Sequence, residues 1–588
     1  MMKKTAISLF VLLALTGCVY DKYAPEDCQQ RQRYYMSFAL KSPGQATKAT
    51  LDGGFDSQTV AEHLVGKVDL YFYDASGKYL EHRVASYDNA LAPSPDVTLD
   101  FEDQSVQDGV AVGGYAKFTV ALDHRPYKML LLVNQPFTML DKSLSEAKAL
   151  VKAGADYKGG VSIPIKYTSP TGVETTENVD PMFMASASYL NAYGSPVTEV
   201  NIAEFYLRET PEEAKTVPID VYVERMAAKV TLKAAQTEYT LPVVTAGENL
   251  SAKVTLLSWG LNGLNLQSYH FKKVDPSWNF SWKWNNFEAK RSYWGEDPNY
   301  AASQAVELSQ QKTALASDPF QFLKPAELAN DFGTSLYCME NTASGDALPV
   351  TDSDAATLYS RTAHVIVRSK LSFSLTGGTD DYGYTASGAD FFRYKGVIYT
   401  KQSLLKALRQ DAGLTVADDT DLELVSAADE AYCKGYDKGE RVAVKQISTD
   451  TVLNLQESGE PVRIDGFKGG EFYYKIPVEH INNESVTATT YPVGRYGVVR
   501  NHNYTITLGN LEGVGTGIWD ADYDIRPFRK PDEYIVSAHV KVTPWIEFVQ
   551  NFMFVDPSGM LVTMGQEVNR WSDIGPEDPD WEGDGWYE

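Results

Sequence analysis

The sequence predicts an all-β protein on a two-domain scale, with only a few short helices. Three observations carry that prediction. The 588-residue chain is long enough for two or more domains with substantial cores. Its 36 Tyr, 24 Phe and 10 Trp, together with recurrent Val and Thr, favour pleated and half-buried surfaces. Its apolar residues alternate with polar ones in short runs separated by turn signals, the period of strands.

Taken in order, residues 1–18 come first: MMKKTAISLFVLLALTGC. Lys3 and Lys4 open it, Ala6 to Leu15 is an apolar run short for a bilayer span, and Leu15-Thr16-Gly17-Cys18 closes it. This is the layout of an export signal ending in a lipoprotein box, in which cleavage precedes a cysteine that takes lipid on its thiol. The alternative is an ordinary signal peptide with a chance cysteine. In the first reading residues 1–17 are removed and the mature protein starts at a multiply acylated Cys18, because one chain anchors weakly. Residues 19–32 are polar and read as a tether. Tyr34 to Lys41 (YYMSFALK) reads as a strand, followed at once by SPGQATKATLDGG, which has no core-forming pattern. A strand isolated between an anchor and a loose segment is suited either to completing the sheet of another molecule or to being removed from its own.

Lys67 to Tyr73 places Val68, Leu70 and Phe72 on one face, and Asp74 to Lys78 is a turn signal. Tyr115 to Leu122 alternates, and Met129 to Val133 is a continuous apolar run, the mark of a strand buried on both faces. Ser143 to Ala153 has Leu144, Ala147 and Leu150 at helical spacing. Pro181 to Ala185 and Val217 to Val223 read as strands. The domain change is placed near Glu224 to Leu232, dividing 49–225 from 226–554. Beyond it, strands are predicted at Lys253–Trp259, Leu264–Phe271, Thr362–Phe373, Gly470–Val478, Asn503–Leu508 and Tyr534–Gln550, with a short helix at Gln402–Leu408.

Composition and motifs narrow the function. Lys and Arg number 53 against 78 Asp and Glu, a formal charge of −25, which excludes the basic footprint nucleic acid requires. No second apolar run reaches membrane-spanning length. The four cysteines are Cys18, Cys28, Cys338 and Cys433, with no CxxC spacing for zinc. Cys338 and Cys433 either pair in an oxidising compartment or are two separate buried thiols. The eight histidines are dispersed, and neither HExxH nor GxSxG occurs. Asp520 to Asp524 starts like a calcium loop, but Ile525 and Pro531 stand where Gly and Glu belong. Trp278, Trp282, Trp284 and Trp294 are able to stack on sugar rings or to pack a loop. No enzyme, cofactor or metal site is read from the chain.

Several segments resemble the fimbrillins of Bacteroidia: the lipobox, YMSFALK and ATKAT at the start, then KVDLYFYDASGKYL and VERMAAKVTL. LYCMENT (Leu336 to Thr342), RTAHVIVRSKL and GADFFRYKGVIYT (Gly388 to Thr400) continue the series. GEFYYKIPVEH, YGVVRNHNYTITLGNLEGVGTG (Tyr496 to Gly517) and SAHVKVTPWIEFVQN (Ser537 to Asn551) close it. FFRYKG and VVRNHNY point to the short-fimbria branch, and to its major shaft subunit in particular. The resemblance implies two tandem β-sandwich-like domains of transthyretin-like fimbrillin type. It also implies a structural pilus subunit that is exported as an outer-membrane lipoprotein, cut by a surface protease, and polymerised by donor-strand exchange, supporting adhesion and biofilm formation. Implied partners are other copies of the chain, anchor and tip fimbrial subunits, and host or bacterial adhesion receptors.

Cleavage is placed between Lys48 and Ala49, so that the lipid-bearing piece 18–48 leaves with the first strand; the family commonly has arginine where this chain has Lys48. The donated strand is placed at about 534–554, with Ala538, Val540 and Val542 on one face and Trp545 and Phe548 as anchors. The chain runs on through 555–588. Residues 573–588 hold seven carboxylates and no basic side chain, and are expected to stay solvated outside any groove. The alternative functions are a surface glycan-binding lipoprotein, or an accessory or tip adhesin of a fimbrium.

Cys18→Ala is expected to abolish labelling by a fatty-acid probe and surface delivery together. Label that persists in that variant would place the anchor elsewhere.

Overall fold

The computed structural model describes residues 33–41, 60–63, 65–86, 96–100, 105–107, 110–112, 116–168, 174–190, 196–274, 295–298, 320–342, 348–349, 362–427, 439–480, 490–491, 496–525, 536–544, 553–555 and 561–563. Strand dominates these residues, and helices are short, as the sequence predicts.

The first half is built from β1 (Tyr34–Lys41), β2 (Lys67–Tyr73), β3 (Tyr79–Ser86), β4 (Val97–Asp100), β5 (Ala116–Leu122), β6 (Lys128–Val133), β7 (Met184–Ser186) and β8 (Ile219–Arg225). They form one sheet in the order β3-β2-β6-β7-β8-β1-β5-β4. The sheet folds over on itself, so that Phe38 of β1 and Phe72 of β2 meet across the core with ring centroids 6.3 Å apart. The β2–β3 hairpin turns where Asp74 to Lys78 predicts. The Asp74 carboxylate accepts from the Ser76 and Lys78 amides at 2.8 and 2.9 Å, and Gly77 takes φ +88°. Met129 to Val133 is fully buried on both faces. The helix predicted over Ser143 to Ala153 is shorter: α1 is Leu144–Lys148, capped by Ser143 and Glu146, and Val151–Ala153 instead pairs with Gln267–Tyr269. Leu150 keeps its place against the local core although it is not helical. A second short helix, α2 (Pro211–Lys215), precedes β8.

The second half starts two residues after β8 ends. β9 (Ala227–Ala234), β12 (Ser335–Met339), β15 (His502–Leu511) and β17 (Val536–Pro544) make one sheet in the order β12-β9-β15-β17. β10 (Glu238–Leu241), β11 (Leu250–Asn262), β13 (His364–Leu375), β14 (Glu471–Pro477) and β16 (Thr516–Gly517) make the other, in chain order. Both sheets contribute to one core that holds Val230, Leu232, Tyr504 and Ile506 from the first and Val254, Trp259, Val365, Val367, Phe472 and Tyr474 from the second. This is a sandwich closed by inward-facing alternate residues. Between β13 and β14 lies an insert with its own core around α3 (Lys401–Asp411), where Leu404, Leu405 and Leu408 meet Leu422, Val444 and Ile464.

Polar groups tie the halves together. Arg225 is fully buried and donates Nε to the Glu62 carbonyl at 2.7 Å and Nη1 to Asn501 Oδ1 at 3.3 Å. Lys272 and Glu224 form a buried ion pair at 3.1 Å. Within the second half, Arg500 pairs with Glu340 at 3.1 Å and donates to the Tyr269 carbonyl at 2.8 Å. His270 donates Nδ1 to Gln135 Oε1 at 2.7 Å.

Burial pulls His364 down to about 3, with Lys475 adding to it, and pulls His502 down to about 3 and His270 to about 4, all from 6.5. Below about 6.5 the unfolded chain takes protons that the fold refuses, so stability is lost as pH falls from 6.5 towards 4. His364→Gln is expected to flatten the decline of Tm over that window; an unchanged profile would contradict the assignment.

Candidate functional site

Five alternate-facing residues of β1 decide what the first half of the chain can do. Met36 and Phe38 are wholly buried and Leu40 is 2% exposed, all three in the core. Phe38 stacks on Phe118 of β5 with centroids 5.4 Å apart. Between them, Ser37 and Ala39 are also buried, at 3% and 2% exposure. β1 therefore is not an edge strand or an appendage. It lies inside the sheet, antiparallel to β5 with Phe38 opposite Phe118 and Ser37 opposite Thr119, and parallel to β8 with Phe38 opposite Ile219 and Leu40 opposite Val221.

The parallel pairing with β8 is the informative one. Neighbours in sequence pair antiparallel through short turns, whereas a parallel neighbour is reached only by a long crossover. β1 is separated from β8 by most of the first half of the chain, so cutting between β1 and β2 severs no tight turn of the sheet.

The entrance to β1 is clamped by charge. Arg33 Nη2 meets Asp96 at 2.8 Å and Arg33 Nε meets Asp123 at 3.4 Å. These neighbours, Asp96 foremost, raise the Arg33 pKa. Arg83 holds Asp123 from the other side at 3.2 Å, pairs with Glu81, and donates Nε to the Ala121 carbonyl at 2.8 Å. Next to the clamp, Tyr35 and Arg208 exchange backbone hydrogen bonds at 2.8 and 3.0 Å. Two features here are missed by sequence reasoning. Arg33 is read only as a basic residue ahead of the strand, and its carboxylate partners are 63 and 90 residues away. α2, which packs across β1 and β5, is announced by Thr210-Pro211-Glu212-Glu213, an N-cap residue followed by proline at the first helical position.

The site residues named from sequence divide in two. Cys18, Lys48, Ala49, Cys433, Trp545 and Phe548 lie outside the described residues, as do Trp278, Trp282, Trp284 and Trp294. Cys338 is a buried free thiol that desolvation pushes up to about 12. Ala538, Val540 and Val542 lie on β17, which in the single chain is the edge strand of its own sheet. There it pairs antiparallel with β15, in a register that sets those residues opposite Leu508, Ile506 and Tyr504. Pro544 ends the strand, the place an edge tolerates a residue without N–H.

Residues 465–551, which span β14 to β17, match the family described as major fimbrial subunit protein type IV, fimbrillin, C-terminal. No curated protein matches the chain. Among solved structures, the chain is similar to a fimbrilin from Porphyromonas gingivalis at 13% identity, covering 87% of this chain and 97% of that one, with a TM-score of 0.33. It is similar to the tip fimbrial protein Mfa3 from Porphyromonas gingivalis at 10% identity, covering 87% of this chain and 100% of that one, with a TM-score of 0.26. A fimbrial assembly protein from Parabacteroides distasonis shares 9% identity, covering 72% of this chain and 99% of that one, with a TM-score of 0.23.

Phe38→Ala is expected to destabilise the first sheet by about 3–5 kcal/mol, read from denaturant unfolding of the full-length chain. A loss below about 1 kcal/mol would mean β1 is dispensable to that core.

Proposed function

We infer, from a chain that matches the fimbrillin C-terminal family across 465–551, that it is a structural subunit of a cell-surface fimbrium, exported as a lipoprotein and polymerised by strand exchange in the place of β1. The observation that carries this is the interior position of β1, a strand that in this reading follows the lipid-bearing segment. When β1 leaves, β8 and β5 each face a row of unpaired backbone groups, and Phe118 and Phe72 lose the ring between them. An open slot of that kind accepts a strand from a second subunit, with backbone hydrogen bonds for affinity and alternate side chains for fit.

In this reading the lipidated precursor sits at the outer membrane, and a surface protease cuts after Lys48. The piece 18–48 departs with β1, and the subunit that remains, with domains 49–225 and 226–554, joins the fibre. The ties across Arg225, Glu224 and His270 suit a subunit that passes load from one neighbour to the next. Anchor and tip subunits complete the filament, and adhesion to host or bacterial surfaces is its use. The extension through 555–588 suits either a shaft position or an accessory one.

Sheared surface filaments are expected to give a subunit with the N-terminus Ala49-Thr50-Leu51, and Lys48→Gln to leave uncut, unpolymerised precursor. Filament subunits that begin at Cys18 would contradict strand release.

A further inference from the structure

The passage between the halves is one residue long. β8 ends at Arg225, β9 starts at Ala227, and Met226 lies between them. A single connecting residue is a natural hinge, so what fixes it must come from elsewhere in the chain. Two groups do this. Asn501 holds both sides of Met226. Its Oδ1 accepts from the Arg225 amide at 3.2 Å and from Arg225 Nη1 at 3.3 Å, and its own amide donates to the Ala227 carbonyl at 2.8 Å. It does so from φ +60°, a left-handed conformation that asparagine tolerates better than most residues.

The second group is Glu62. The helical turn Val60–His63 stands ahead of β2, in the first half. Its backbone stays with that half: the Ala61 carbonyl accepts from the Met182 amide at 3.0 Å and the Glu62 carbonyl from Arg225 Nε at 2.7 Å. The side chain of Glu62 crosses over. It is wholly buried, and its Oε1 accepts from the Tyr337 hydroxyl and lies 3.3 Å from Lys229 Nζ, both of the second half. Lys229 and Tyr337 sit side by side in the register of β9 with β12, on the face turned away from the core that Ala228, Val230 and Cys338 enter. Tyr157 of the first half packs against Tyr337 with ring centroids 5.1 Å apart. Arg225 also lies in the field of the Glu62 carboxylate, which opposes the burial that pulls this guanidinium down to about 10. Glu62 Oε2 has no hydrogen-bond partner among the described residues. A buried carboxylate with one oxygen unpaired adds little net stability, yet removing it strands two buried cations, Lys229 and Arg225.

We propose that Val60–His63 is a strap that locks a hinge at Met226, with Glu62 of the first half seated on Lys229 and Tyr337 of the second, and Asn501 holding the hinge itself. The strap is a conformational device of this chain and does not depend on its place in a fimbrium. It stays joined to β2 when the chain is cut after Lys48, so in the function proposed above the lock is the same before and after the cut.

Hydrogen exchange of the full-length chain reads the lock at the amides of Met226 and Asn501, which donate to the Phe183 and Ala227 carbonyls at 2.9 and 2.8 Å. Glu62→Ala is expected to speed exchange at both by at least tenfold, with the amides of β5 and β13, inside the two cores, unchanged. Asn501→Gly keeps the backbone conformation, since glycine takes positive φ freely, and loses the side chain that grips Arg225. It is expected to act in the same way, and it carries the test if Glu62→Ala fails to fold. Glu81→Ala removes another buried carboxylate, one that pairs with Arg83 inside the first half, and is expected to leave Met226 and Asn501 as they are. Exchange at Met226 and Asn501 that stays slow in the strap variant, or that rises equally with β5 and β13, would overturn the lock. So would the same rise from Glu81→Ala.

Discussion

Phe38 packs between Phe118 and Phe72, and the strand that carries it stitches β8 to β5. Without β1 the sheet of the first half falls into two pieces, β3-β2-β6-β7-β8 and β5-β4. Burying Met36, Phe38 and Leu40 contributes roughly 1.5–3 kcal/mol each, and both edges of the strand are paired with backbone. A strand held this way does not leave because a bond beyond its end is cut. It leaves when another strand offers the same pairings and the same apolar contacts. In the function proposed above, proteolysis next to β1 converts an intramolecular strand into an exchangeable one, and exchange is what a polymer needs.

The junction works in the opposite sense. Glu224 with Lys272 is an ion pair buried in both partners across the junction, and Arg500 with Glu340 is another inside the second half. Such pairs contribute little net stability against apolar replacements, while losing one partner strands a buried charge. Across the junction, the Glu224–Lys272 pair disfavours arrangements of the halves that part its two charges. Arg225 and Glu224 sit at the end of β8, the strand that lies beside β1. The place of β1 and the junction thus share one element.

Much of this was legible in the sequence because its cause is local. Alternation in Lys67 to Tyr73, the Asp74 to Lys78 turn and the apolar run Met129 to Val133 each fix their own structure within a few residues. β1 was legible as a strand. Its neighbours were not, because a parallel pairing of Phe38 with Ile219 leaves no trace in either segment. The same holds for the clamp on Arg33 and for the buried ion pairs, whose partners lie far apart in the chain. The helix at Ser143 ran too long because Val151–Ala153 pairs with Gln267–Tyr269, a tertiary contact that overrides helical spacing.

The central claim is that the place of β1 is refilled by another strand in the fibre. Hydrogen exchange at the amides of β5 and β8 measures it directly, compared among intact precursor, cut monomer freed of 18–48, and filaments in which mass spectrometry finds no residues 34–41. The account predicts protection in the precursor, its loss in the freed monomer, and its return in the filaments. Filaments whose β5 and β8 amides exchange as fast as those of the freed monomer would contradict it.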